Sequence, residues 1–377
     1  MNGRIHEITS TAAILVGTAL AAGAVAAIGC SPPEETAGRT VTDLAGREVT
    51  VPGEVKRLIA LGPGALRFVV YLRATDRVVG IEDLEKRMAR DLYVRPYAHA
   101  LSEDVLALPV VGAGGPGTLP DPEKILTCRP DLLACVGIDP GQLDNLQAKT
   151  GVPTMYLSYG ELGVWREEAR RSLALLGEVL GREKRAASLN AAIASLERDL
   201  RARTRNIPMN EKPTVYIGGI SFKGAHGLTS TEAGYPPARL AGARNLADGL
   251  CQTGHFFVDK EQILVWNPDV LFVDLGSRTI LDQDVQEHRG FYRLLKAVKS
   301  GRVFSLLPYN YYNTNMELAL LNAYFIGQSL YPSRFEDVRM KDKAREIMET
   351  FLGITPGGEI PACRAVRIPD AGPVEWR

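Results

Sequence analysis

Two stretches of this chain are versions of one unit, and they constrain the fold more than anything else in it. Asp121–Gly137 reads DPEKILTCRPDLLACVG, and Asp259–Gly276 reads DKEQILVWNPDVLFVDLG. Asp121, Glu123, Ile125, Leu126, Pro130, Asp131 and Leu133 recur at one constant offset as Asp259, Glu261, Ile263, Leu264, Pro268, Asp269 and Leu271. Each copy predicts a short helix, a Pro-Asp turn and a buried strand. Pro130 and Pro268 end the helix, because proline drives the preceding residue out of the α region. The apolar runs after Asp131 and Asp269 are too short for a buried helix and suit central strands. A second echo follows each copy in the same order, Gly151–Tyr159 (GVPTMYLSY) against Gly301–Tyr309 (GRVFSLLPY). Repeated strand–helix units of this kind predict two similar lobes. The fold expected is therefore α/β, with parallel sheets in two similar lobes and a ligand cleft between them.

The totals limit the function classes. Of 377 residues, 45% are hydrophobic and 23% charged, which is ample for a globular core. Basic and acidic residues balance at 44 each with no polybasic block, so nucleic acid is not an expected partner. Five cysteines (Cys30, Cys128, Cys135, Cys251, Cys363) form no CxxC, which argues against a zinc or redox motif.

The first thirty residues read as an export segment. Arg4 gives a weak positive start, Ala12–Ile28 is nearly unbroken apolar sequence, and small residues lead to Cys30. Ala27-Ile-Gly-Cys30 resembles a bacterial lipobox, in which the cysteine is lipidated. An ordinary signal peptide and an uncleaved anchor helix are the competing readings. All three place the rest of the chain outside the cytoplasm, and the first holds it to a membrane through Cys30.

The domain plan expected is a signal segment over 1–30, a tether over 31–39, an N-terminal lobe over 40–160, a helical linker over 161–206, a C-terminal lobe over 207–354 and a tail over 355–377. A hairpin is predicted over Thr40–Val51, turning at Ala45-Gly46. Strands are predicted at Arg57–Leu61, Val78–Ile81, Pro109–Val111 and Pro153–Leu157, then at Thr214–Gly218 and Arg302–Leu306. Gly219–Pro237 reads as a polar loop. Apolar stripes at Ala169–Leu180 and Leu189–Leu200 each have helical spacing but are out of phase, so a break at Gly181 and a long connecting helix are predicted.

In open α/β sheets, ligands bind beyond the carboxyl ends of the strands. That rule selects Gly62–Ala65, Gly112–Gly117, Gly137–Asp139 and Ser158–Tyr159 in lobe one. In lobe two it selects Gly219–His226, Gly276–Arg278 and Tyr309–Asn315. Tyr159 and Tyr309 then face each other across the cleft. Gly114 and Gly115 offer close backbone approach, without the Lys-Ser/Thr of a phosphate loop. Tyr309, Tyr311, Tyr312 and Asn313 supply amphipathic surface and hydrogen bonds, which suits a large polar ligand or Fe(III), for which phenolate is a good donor. Lys223 and Arg278 can pair with an anion, and His226 lies in a ligand loop. No HExxH, GxSxG, paired carboxylate or Cys/His arrangement points to catalysis or a bound cofactor.

On these residues the chain resembles the cluster-A, class III substrate-binding proteins of ABC importers, the group serving iron–siderophore complexes, haem and cobalamin. The resemblance rests on TDLAGREVTVPGEVKRLIALGPGALRFVVYLRATDRVVGIE, the first repeat copy, the connecting helix, and NLADGL followed by DKEQILVWNPDVLFVD. It implies two lobes joined by one long helix, a ligand held between them, and a monomer that docks on the importer's membrane subunits. Family members carry a glutamate near the first helix of each lobe for that docking. Here the lobe-one position holds Arg67, with Glu82 or Glu85 as substitutes, and Glu232 or Arg239 stands in lobe two. The function expected is a lipid-anchored extracytoplasmic receptor delivering an iron(III) complex. The alternatives are cobalamin, haem or a molybdate or tungstate oxyanion in the same role. Outside that role stand an exported enzyme on a nitrogenase-like bilobal scaffold, and a sensor or scaffold without transport.

Overall fold

The repeated Pro-Asp unit folds the same way twice, and it explains how each sheet is pinned. In the computed structural model, residues 38–88, 94–160, 166–222, 224–250, 254–355, 365–369 and 374–376 are described. Cys30, the 1–30 segment, most of the tether and Lys223 lie outside the described residues. In lobe one, the helix Pro122–Cys128 is capped by the Asp121 carboxylate, which accepts from the N–H groups of Glu123 and Lys124. In lobe two, Asp259 caps Lys260–Trp266 by accepting from the Gln262 N–H. Both helices close on a left-handed residue, Arg129 (φ 45°) and Asn267 (φ 39°). The aspartate that follows then bonds to the start of a neighbouring strand. Asp131 accepts from the N–H of Lys56 and of Arg57, both at 2.8 Å. Asp269 accepts from the Thr214 N–H at 2.8 Å and from its hydroxyl at 2.7 Å.

The strands run in this order: β1 (Arg39–Thr42), β2 (Glu48–Val51), β3 (Leu58–Leu61), β4 (Val78–Gly80), β5 (Leu132–Val136) and β6 (Thr154–Leu157) in the first half. The second half has β7 (Thr214–Gly218), β8 (Ser230–Ala233), β9 (Arg244–Asn245), β10 (Gly254–Phe257), β11 (Val270–Asp274) and β12 (Val303–Leu306). Lobe one holds a parallel sheet of order β4-β3-β5-β6, and lobe two one of order β12-β11-β7-β9. The central strands β5 and β11, the ends of the two repeat copies, are buried at every residue. The fold class expected from the sequence is the one observed. β1 and β2 form the expected hairpin, with Gly46 at φ 79° in the turn.

Two expectations are corrected. Pro109–Val111 is not a strand: only Val110 bridges to Ile81, because the chain runs at once into the glycine-rich loop. Gly219–Pro237 is not all loop: β8 lies inside it and pairs antiparallel with β10. The polar letters of β8 (Ser230, Thr231, Glu232) hide the strand, since their side chains are buried by bonding inward.

The helical connection is Arg166–Val179 followed by Glu183–Thr204, with Gly181 at φ 61° between them. A single hydrophobic core runs from Leu58, Ala60 and Ala134 of lobe one through Leu189, Ile193 and Leu200 of the long helix to Ile217 and Phe272 of lobe two. The helix Met316–Leu330, buried over most of its length, belongs to that same core. Each lobe keeps a separate cluster on the other face of its sheet. The lobes are thus parts of one compact unit.

Candidate functional site

β3, β5, β11 and β12 all end at the same side, and the loops after them meet there. The turn after β3 is built from Gly62 (φ 86°) and Gly64 (φ 80°). A Cβ on Gly62 would stand 2.1 Å from the Val136 carbonyl oxygen, and one on Gly64 would stand 2.9 Å from Arg67 Nη1 and from Tyr159 Cε2. Only glycine permits this backbone and this closeness. The result is a cleft of about 780 Å³ between the lobes. Lobe one supplies Pro63, Leu84, Met88 and Pro116. Lobe two supplies Ser221, Phe222, Gly224, Ala225, Gly276 and the run Asn310, Tyr311, Tyr312 and Asn313. A second hollow, of about 600 Å³ and lined in part by Arg293, Lys299 and Arg367, lies where β12 begins, away from the ligand loops.

The residues singled out by sequence divide into three groups. Tyr311, Tyr312 and Asn313 line the cleft. Tyr312 donates its hydroxyl to Glu82 Oε2 at 3.1 Å, and the Asn313 amide donates to the Pro63 carbonyl at 3.2 Å, so both also tie the lobes together. Tyr312 and Asn313 sit at φ 52° and 68°, a strained backbone for a tyrosine.

Tyr159 and Tyr309 lie at matching strand ends but are enclosed beneath the cleft. Tyr159 stacks on Phe68 at 4.2 Å and donates to the Gly64 carbonyl at 2.9 Å. The Tyr309 hydroxyl faces the Glu232 carboxyl, 3.4 Å from Oε1. Gly114 and Gly115 pack on Glu82 and Leu84, and their loop reaches the cleft through Pro116.

His226 and Arg278 stand outside the lining. His226 directs Nε2 to the Phe222 carbonyl at 2.8 Å and lies 5.8 Å from the ring of His255. Arg278 is exposed, with its guanidinium 5.2 Å from the Trp376 ring and its Nε 3.9 Å from Asp282. Sequence reasoning missed Leu84 and Met88, since a charged, irregular stretch gave no signal of an apolar wall.

Of the docking candidates, Arg239 is exposed and the other four are enclosed. Arg67 and Glu232 are both completely buried, and Glu82 and Glu85 are nearly so, at 3% and 4% exposure. Enclosed charges do not present themselves to a membrane subunit. Arg67 instead donates to the carbonyls of Thr314 (2.9 Å), Tyr312 (3.0 Å) and Tyr311 (3.3 Å). Burial pushes the Glu82 carboxyl up to about 7, against opposing bonds from the Gly62 backbone and Tyr312. It pushes Glu232 up to about 8 and Asp274 up to about 7. Glu85 is ion-paired with Arg95 beneath the same wall, and both bond to the Tyr97 hydroxyl. Among the described residues, no group of three or more His, Cys, Asp or Glu side chains is placed to hold a metal ion.

Two parallel-sheet lobes, a continuous core and a cleft lined from both sides define a bilobal binding protein. Residues 58–309 match the periplasmic binding protein family, and the chain belongs to it. It is an extracytoplasmic substrate-binding protein of the kind that serves ABC importers, and not an enzyme. The chain is 24% identical to the molybdate-binding protein MolA of Haemophilus influenzae, over 84% of this chain and 91% of that protein. It is 22% identical to an uncharacterised ABC transporter substrate-binding lipoprotein, YvrC of Bacillus subtilis, over 79% and 87% of the two chains. Its fold is similar to the molybdate-bound structure of MolA, with a TM-score of 0.66 over 85% of this chain and 99% of that one. A periplasmic solute-binding protein from Veillonella parvula is comparable, with 20% identity and a TM-score of 0.67 over 85% and 94% of the chains.

Proposed function

We propose that this protein captures a compact metal oxyanion, of the molybdate or tungstate type, and hands it to an ABC importer. The observation that carries the reading is the donor set of the cleft. Its lining includes Ser221, Asn310 and Asn313, whose side chains carry hydroxyl and amide donors, and the glycines Gly224 and Gly276, whose backbone is unshielded. Such neutral N–H and O–H donors suit an oxyanion. A bare divalent cation wants converging imidazoles, thiolates or carboxylates, and the described lining holds none. The relationship to a molybdate-binding protein supports the same cargo. Capture involves no covalent step: the cargo binds between the lobes and favours whichever lobe arrangement contacts it best.

The iron(III)-complex reading stands second, on one observation. A cleft of about 780 Å³ walled by Leu84, Met88, Pro116, Phe222 and Tyr311 accepts a ligand much larger than an oxyanion. Titration calorimetry with molybdate, tungstate, sulfate and an iron(III)–catecholate complex separates the two. Heat with molybdate and tungstate but not sulfate supports the oxyanion. Heat with the iron complex alone moves the cargo to the second reading. Lipidation at Cys30 belongs to the same picture, and mass spectrometry of the protein extracted from membranes tests it.

A further inference from the structure

The residue that departs from the expected docking glutamate has found other work. Arg67 lies on the first helix of lobe one, Ala65–Tyr71, and is completely buried. Its fork reaches across to lobe two and takes three carbonyls of one loop, those of Tyr311, Tyr312 and Thr314. The guanidinium carbon lies 4.8 Å from the centre of the Tyr97 ring, which closes one face of the fork. Nε has no partner among the described residues. A buried charge with an unsatisfied nitrogen is costly for folding alone, so its geometry calls for a reason beyond packing.

A trans peptide's N–H points opposite to its carbonyl. With the Tyr311 and Tyr312 carbonyls turned to Arg67, the N–H groups of Tyr312 and Asn313 face away from it. These same residues form the lobe-two wall of the cleft. The positive φ of Tyr312 is a conformation that tyrosine rarely holds without outside support, whereas asparagine at 313 tolerates it. A planar fork holds three carbonyls at once, whereas an ammonium is a single point charge.

We propose that Arg67 is a positioning residue of the cleft: from behind, it fixes the Tyr311–Thr314 loop in its strained form, turning the Tyr312 and Asn313 N–H groups outward as donors for the cargo. The oxyanion part rests on the function proposed above. The clamp itself does not.

The test compares the wild-type protein with Arg67→Gln and Arg67→Lys. Amide exchange is followed by mass spectrometry, and tungstate binding by calorimetry. In both variants the segment 309–315 should exchange at least about tenfold faster while the sheets keep their protection, and tungstate affinity should fall about tenfold or more. Lysine should rescue neither, because it keeps the charge and loses the fork. Unchanged exchange in 309–315 overturns the proposal, and so does faster exchange with unchanged tungstate affinity. If Arg67→Gln fails to fold, Arg67→Lys carries the same readings. If the wild-type protein binds no oxyanion, the cargo reading fails while local exchange in 309–315 still decides for or against the clamp.

Discussion

Gly64 shows how little room the centre of this molecule leaves. It lies between Arg67, Tyr159 and Asn313, and a Cβ there would stand 3.2 Å from the Asn313 Cβ as well as 2.9 Å from the other two. Its φ of 80° adds backbone strain for any side chain. Gly64→Ala should therefore destabilise the fold by about 1–3 kcal/mol, read as a shift in the denaturant midpoint, and should weaken cargo binding. Gly117, also at positive φ but with nothing near its Cβ position, serves as the comparison. Its alanine variant should leave binding unchanged. Arg67 belongs to the same scale. The sequence shows an arginine near the start of a helix, and nothing in its neighbours says that the side chain turns inward. The carbonyls that receive it are hundreds of positions away, so only the folded chain reveals its role.

At the scale of elements, the Pro-Asp units do equivalent work in the two sheets. Asp131 holds the approach to β3, and Asp269 holds the first residue of β7. Asp269 also accepts from Lys296, and this bond together with those from Thr214 outweighs burial and holds its carboxyl down at about 2. Removing either carboxylate strands backbone donors. Asp269→Ala, whose donors are part-buried, should cost about 1–3 kcal/mol, and Asp131→Ala, whose donors are exposed to water, about 0.5–1 kcal/mol. Each should lower the melting temperature, Asp269→Ala by more, and speed amide exchange at the start of β7 or β3 respectively. These units were legible in sequence because helix cap, proline stop and buried strand are all local signals. The β8–β10 pair was not. Ser230, Thr231 and Glu232 read as polar, and their burial depends on partners such as the Ile220 and Ile217 carbonyls and Tyr309. Of the seven loops selected by the strand-end rule, five contribute to the cleft lining and Gly137–Asp139 and Ser158–Tyr159 do not, because which residues reach the lumen depends on packing between lobes. Tyr309 and Tyr311 differ by two positions, yet one is enclosed and the other exposed.

Across the whole molecule, buried carboxyls set a pH dependence. Glu82, Glu232 and Asp274 are raised by burial to about 7, 8 and 7. The folded state therefore keeps protons that the unfolded chain has already lost. More protons bound when folded means that stability falls as pH rises, from the ordinary carboxyl range up through about pH 8. The melting temperature should drop by roughly 5 °C or more between pH 5.5 and 8.5, and Glu232→Gln should flatten that slope. A melting temperature that rises across the interval would contradict the burial of these groups.

The inter-lobe bonds have a practical consequence for anyone who wants to watch this protein at work. By chain order, residues 309–315 belong to lobe two, yet Arg67, Pro63 and Glu82 bind them to lobe one. A fluorophore or spin label placed there would ride with the lobe it is meant to be measured against, and a distance to lobe one would stay nearly constant. A reporter at exposed Ala225, on the loop between β7 and β8, paired with one on exposed Lys86, spans the two lobes without involving that shared loop.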